Sequence, residues 1–201
     1  MLKTKEIRWF TRYENKEICD WFANCGLTFN KVEPRTDYFL LVHNHDDMAP
    51  KLREGKIEIK HRVGSPTIFT LTANARGYFE EYVKWSFELD SRDELSAAII
   101  NNNYPAEWIE VRKERLGVKF AKDNTDNIHV HDIKTEIDNG CQLEYTRLSI
   151  KNDIWYTFNL EWFGERFFTP DSSIITEIIG DNTIKPENSM GYGQFLQQYN
   201  H

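Results

Sequence analysis

Hydrophobic and polar residues alternate with a period of two along most of this chain, the spacing of β-strands whose two faces meet different surroundings. The pattern predicts strands over Lys3–Thr11, Tyr38–His43, Lys56–Val63, Thr67–Thr72, Tyr82–Leu89, Trp108–Phe120, Ile128–Ile137, Gln142–Ile150 and Ile154–Phe163. Asp138-Asn139-Gly140 separates two of them and reads as a tight hairpin turn, because Asn-Gly accepts positive φ angles. Helical spacing replaces alternation in a few places. Ile18, Trp21, Phe22 and Cys25 predict a helix over Asn15–Cys25 that stops at Gly26. Leu95, Ala98 and Ile99 predict a second over Arg92–Asn101 with Ser91 as N-cap, followed by a polar loop at Asn102-Asn103. Four isoleucines predict a third over Ser172–Ile179 that ends at Gly180, and Ser189–Tyr199 reads as a helix interrupted by Gly191 and Gly193.

The fold class expected from this order is α+β and β-rich: an antiparallel barrel covered by a few helices. With no repeat or linker in 201 residues, one domain spanning 1–201 is expected. No apolar run approaches the length of a membrane span, and the amino-terminal segment lacks a signal-peptide pattern, so a cytoplasmic protein with no membrane partner is expected. Three cysteines, Cys19, Cys25 and Cys141, are too few and too irregular for a disulfide scaffold and read as reduced, mostly buried thiols. The net charge of −7 argues against general nucleic-acid binding.

The charged strand faces carry the functional signal. Lys56, Glu58, Lys60 and Arg62 share one face of a strand, and Ile57, Ile59, His61 and Val63 share the other. Alternation alone leaves open which face points inward. A charged interior is costly unless water, metal or an ionic ligand satisfies it, so such a barrel would be a binding site by construction. The inverse orientation would line an apolar ligand cavity with Trp85, Phe87, Phe158 and Trp162. Two histidine clusters, His43/His45 with Asp47 and His129/His131 with Asp132, contain metal-capable groups, but polar loops often carry such clusters incidentally. No Gly-rich phosphate loop or nucleophile elbow is present.

The motifs succeed one another as Glu6-Ile-Arg8, Thr36-Asp-Tyr38, Glu58-Ile-Lys60-His-Arg62, Val83-Lys84 and Val111-Arg-Lys113-Glu-Arg115. Gln142-Leu-Glu144, Phe158-Asn-Leu-Glu161 and Ser189-Met-Gly-Tyr192 follow. This order resembles the CYTH, or triphosphate-tunnel metalloenzyme, family over nearly the whole chain. The resemblance implies an eight-stranded antiparallel tunnel-like barrel that grips a small phosphate-rich anion. It implies Arg8, Lys60, Arg62, Lys84, Lys113 and Arg115 as phosphate-binding residues, and Glu6, Glu144 and Glu161 as ligands of Mg²⁺ or Mn²⁺. It implies no organic cofactor, assigns no catalytic residue, and leaves homo-oligomer formation open.

The chain departs from the family pattern in two places. The family opens on Glu-x-Glu-x-Lys where this chain has Thr4-Lys-Glu6-Ile-Arg8, and Asn159 precedes Glu161 where a second acid is common. Phosphohydrolase activity dependent on divalent metal is therefore expected to be weak. The alternative is a non-enzymatic binding or assembly domain that keeps the fold.

Overall fold

A computed structural model describes residues 2–90, 93–101, 108–165 and 168–200. Among the described residues ten strands form: β1 (Leu2–Thr11), β2 (Arg35–Leu40), β3 (Met48–Arg53), β4 (Lys56–Arg62), β5 (Thr67–Thr72), β6 (Ala75–Glu88), β7 (Trp108–Lys122), β8 (Ile128–Asp132), β9 (Gly140–Ile150) and β10 (Asp153–Phe163). Eight of them close into an antiparallel barrel in the order β1-β10-β9-β7-β2-β3-β4-β6, with β6 pairing back onto β1. Strands β5 and β8 extend the barrel wall by pairing with the projecting ends of β6 and β7.

Closure explains why β1 is buried on both faces. Ile7 and Trp9 point outward, yet they lie in the main hydrophobic core beneath α1 (Lys16–Asn24) and α3 (Ser172–Ile179). Their neighbours Glu6 and Arg8 point into the barrel and are also buried. In α3, Ile175, Ile178 and Ile179 form one fully buried stripe, each stabilising the fold by about 1.5–3 kcal/mol. Asn15 caps α1 by accepting the Ile18 N–H at 3.0 Å, and the helix gives way to Gly26 at φ +80°. Phe158 and Trp162 belong to this outer core and Phe87 is half exposed, so the apolar-cavity orientation is overturned.

A second, smaller core closes one end of the barrel. Here α4 (Tyr192–Asn200) lies across the ends of β1, β2, β7, β9 and β10 and packs Phe195 and Leu196 against Phe10, Phe39, Ile109 and Leu148. Phe10 and Phe195 stack with ring centroids 3.8 Å apart, and the Tyr199 hydroxyl donates to the Ile150 carbonyl at 2.9 Å. Gly193, expected to interrupt the tail helix, lies inside it. A Cβ there would press 2.6 Å from the Asp46 carbonyl, so the missing side chain lets α4 seat against the wall.

Several expectations need correction. Strand β3 has no counterpart in the sequence reading, because Pro50 and short length obscure its alternation. The Asp138-Asn139-Gly140 segment is not a tight turn pairing β8 with β9, because both strands pair with β7 instead. Strand β8 folds back on β7 through the Asp123–Asn127 turn, where the Asp123 carboxylate accepts the N–H groups of Thr125 and Asn127 at 2.8 and 3.0 Å. Gly140 instead begins β9, and the Asn139 side chain accepts the Glu165 N–H at 2.7 Å. The helix expected from Arg92 is α2 (Glu94–Ile100), capped by Asp93, which accepts from Ser96 N–H at 2.6 Å; Ser91, Arg92, Asn102 and Asn103 lie outside the described residues. Cys141 is buried and Cys19 partly so, but Cys25 is exposed. No helix among the described residues is long and apolar enough to cross a membrane.

Candidate functional site

The barrel encloses a cavity of about 580 Å³. Its lining includes nine lysines and arginines against five acids, so a chain of net charge −7 concentrates positive charge at one place. Period-two geometry produces this: Thr4, Glu6 and Arg8 on β1, Glu58 and Lys60 on β4, and Lys113 and Arg115 on β7 are successive inward residues.

Five of the six expected phosphate-binding residues line the cavity: Arg8, Lys60, Lys84, Lys113 and Arg115. Arg62 does not. It shares the inward face of β4, but its guanidinium is held by Glu80 at 2.9 Å and Asp46 at 3.2 Å. The sequence reading missed Arg35, Lys51, Arg53 and Lys119, which also line the cavity. Lys51 and Arg53 were lost with β3. Their signal is the alternating Lys51-x-Arg53 and Lys56-x-Glu58 on either side of Glu54-Gly55, both of which adopt the positive φ of a two-residue hairpin turn.

The carboxylates are matched to cations. Glu161, Glu6 and Glu80 are cross-strand neighbours on β10, β1 and β6, forming an acidic row. Lys60 bonds both Glu6 and Glu161, the latter at 3.2 Å. Burial disfavours the charge on Glu161, but Lys60 and Arg8 outweigh it and hold the carboxyl below its usual range. Glu80 accepts from Arg62 and from the Tyr82 hydroxyl, and burial together with Glu6 raises its pKa. Glu144 is bound by Arg115 at 2.8 Å and by Gln142 at 2.7 Å. Glu58 draws in Lys84, Arg53 and Lys51 at 2.6, 2.9 and 3.1 Å. Burial opposes its charge, yet these cations hold it at about 2.

At the closed end, Asp37 is shared by Lys113 at 2.8 Å, Arg35 at 3.1 Å and Lys51 at 3.6 Å. Burial pushes Lys113 down to about 8 against the attraction of Asp37. Burial likewise pushes Lys51 down to about 7, despite Asp37 and Glu58. Arg8 and Lys113 both lie over the Tyr192 ring, at 4.8 and 4.0 Å from its centroid. Beside them, Asn159 is fully buried between Arg8 and Glu144 in the strand register, and neither polar atom of its side chain has a partner among the described residues.

The expected metal ligands are thus placed apart in function. Glu6 and Glu161 share a lysine, and Glu144 has its own arginine. Among the described residues, no three His, Cys, Asp or Glu side chains are arranged to hold a metal ion. In the histidine clusters, Asp47 faces His61 at 3.2 Å and His45 at 3.5 Å, and His129 bonds Asp123 at 2.8 Å.

No protein-family model and no curated protein matches the sequence. Among solved structures, the crystal structure of a "putative adenylate cyclase" from Bacillus halodurans is similar to this chain. The identity is 10% and the TM-score 0.44, over 94% of this chain and 96% of that one. No residue role follows from a likeness at that distance.

Proposed function

We propose that this protein is a CYTH-like tunnel that binds tripolyphosphate or a similar phosphate-rich small anion. The observation that carries the reading is the convergence of nine cations on one cavity in an acidic protein. Arginine offers phosphate a planar fork of donors, lysine a compact charge, and a partly dehydrated cavity strengthens both. An incoming polyanion would take over cations that now neutralise Glu58, Glu144 and Glu161, so these carboxylates act as counter-charges that keep the empty barrel stable.

The acids do not fit a divalent metal in this arrangement. The Lys60 ammonium already bonds both Glu6 and Glu161, the two acids that would have to hold the metal. The reading is therefore binding with weak or no metal-dependent hydrolysis, close to the alternative of a binding domain that keeps the fold. Calorimetry with tripolyphosphate in the presence of a chelator tests it. Binding that weakens as salt rises is expected from screening. No heat and no competition at millimolar ligand would sink the proposal.

A further inference from the structure

Among the described residues, two strands of the wall have a single neighbour: β5 pairs with β6 alone and β8 with β7 alone. The free edge of such a strand presents unpaired N–H and C=O groups, and folded proteins commonly guard it with charge, proline or a bulge. Strand β8 is guarded. Three of its five residues are His129, His131 and Asp132, and His129 is held by Asp123 at 2.8 Å. Strand β5 is not. Thr67-Ile-Phe-Thr-Leu-Thr72 carries no charged side chain, and five of its six residues are β-branched or aromatic. Its one irregularity, a register shift between Thr70 and Thr72, leaves Thr67–Thr70 regularly paired. Its two faces differ. Phe69 and Leu71 turn to the outer core beneath α3, whereas Ile68 and Thr70 turn the other way and stay exposed. Ile68 is 47% exposed and its cross-strand neighbour Tyr78 37%, so an apolar pair borders the open edge.

We propose that β5 is an interaction surface whose occupant is the β5 of a second copy of this chain, the two strands pairing antiparallel about a two-fold axis at Phe69. Charge argues for that occupant. A foreign partner is selected by complementary charge, and β5 offers none, whereas a neutral strand meets its own copy without repulsion even in a chain of net charge −7. Symmetry agrees. An axis perpendicular to the sheet keeps each face on its own side, so Ile68 stands opposite Thr70 of the second copy and Thr67 opposite its Leu71. Each row across the joined sheet then reads Tyr78, Ile68, Thr70, Arg76, and no two like charges face each other. The contact is short, below the about 1,200 Å² of a standard interface, so the dimer is weak and depends on concentration.

Sedimentation of the unaltered protein should show a monomer–dimer equilibrium with Kd between about 10 μM and about 1 mM, the range a small interface supports. Ile68→Lys charges the edge and should raise Kd at least about tenfold. Thr70→Lys, at an exposed position, should do the same and keeps the test decisive where Ile68→Lys disturbs folding. Disulfide trapping in a Cys25→Ser background reads the register: Ile68→Cys and Thr70→Cys proteins should cross-link when mixed and not when each is alone. A protein still monomeric at about 1 mM, or a dimer that both lysine variants leave intact, would overturn the proposal. Cross-linking of Ile68→Cys with itself would overturn pairing about Phe69.

Discussion

Lys113 and Asp37 meet inside the barrel at 2.8 Å, from adjacent strands, with side chains 6% and 0% exposed. Burial opposes the Asp37 charge, but Lys113, Lys51 and Arg35 hold its carboxyl well below the usual range. Because this folded-state pKa is depressed, the stability it contributes is full above the ordinary carboxylate pKa and is lost as pH falls toward the folded value.

Asp37→Asn should destabilise the fold by about 3–5 kcal/mol near pH 6, since it leaves buried cations without their carboxylate. Urea denaturation near pH 6 and again near pH 9 measures this. The deficit should shrink at the higher pH, where Lys51 and Lys113, with pKa values of about 7 and 8, shed the charges that Asp37 had neutralised. An equal deficit at both would mean that the lysines do not depend on Asp37 for their charge.

The two arginines singled out by sequence should part company. Arg115→Ala removes a cation from the cavity wall and should weaken tripolyphosphate binding by about 1–3 kcal/mol, with the smaller stability cost of the two because Glu144 is less deeply buried than Glu80 and keeps the Gln142 amide. Arg62→Ala leaves Glu80 buried with only the Tyr82 hydroxyl, so its main effect should be on stability. Calorimetry and thermal unfolding of both variants decide the matter. A larger affinity loss at Arg62 would return it to the binding surface.

Binding should take up protons. Near pH 8.5 burial leaves Lys51 mostly neutral and Lys113 partly so, and a polyanion in the cavity favours their charged forms. Affinity should therefore fall as pH rises from about 6.5 to 9. The observed binding enthalpy near pH 8.5 should vary with the ionisation enthalpy of the buffer. An enthalpy independent of buffer would show that both lysines stay charged without ligand.

Lys60→Met should open the acidic row to a metal. With the ammonium gone, Glu6 and Glu161 remain cross-strand neighbours beside Glu80 and offer oxygen ligands that Mn²⁺ or Mg²⁺ accepts. Mn²⁺ should raise the melting temperature of the variant and leave the unaltered protein within error. A strong rise in the unaltered protein would place a metal site in the native barrel.

The charged strand faces were legible because they repeat with period two over long strands, as in Lys56–Arg62, but alternation does not choose a side, and the inward reading came from the order of the motifs along the chain. Where a local signal competed with a longer-range one, the sequence misled. Asn139-Gly140 has the composition of a hairpin turn, but the projecting end of β7 captured β8, and the Asp123 carboxylate organised the turn. Strand β3 carries Pro50 and only six residues, so the cations it contributes were invisible until its partners β2 and β4 were in place. The pairing of acids with cations was also out of reach, since Lys60 and Glu161 lie 101 residues apart.

Closure of the barrel has a consequence for how the chain reaches this state. Strand β1 is flanked by β6 and β10, and Arg8 bonds Thr157 across a separation of 149 residues. No local hairpin can form that seam, so the loop-closure entropy falls due before most of the cavity exists. Folding should be slow for a chain of this size, with β1 waiting on its distant partner. Until β10 arrives, the long edge of β1 is open to pairing with other chains, which makes dilute conditions the favourable ones for refolding.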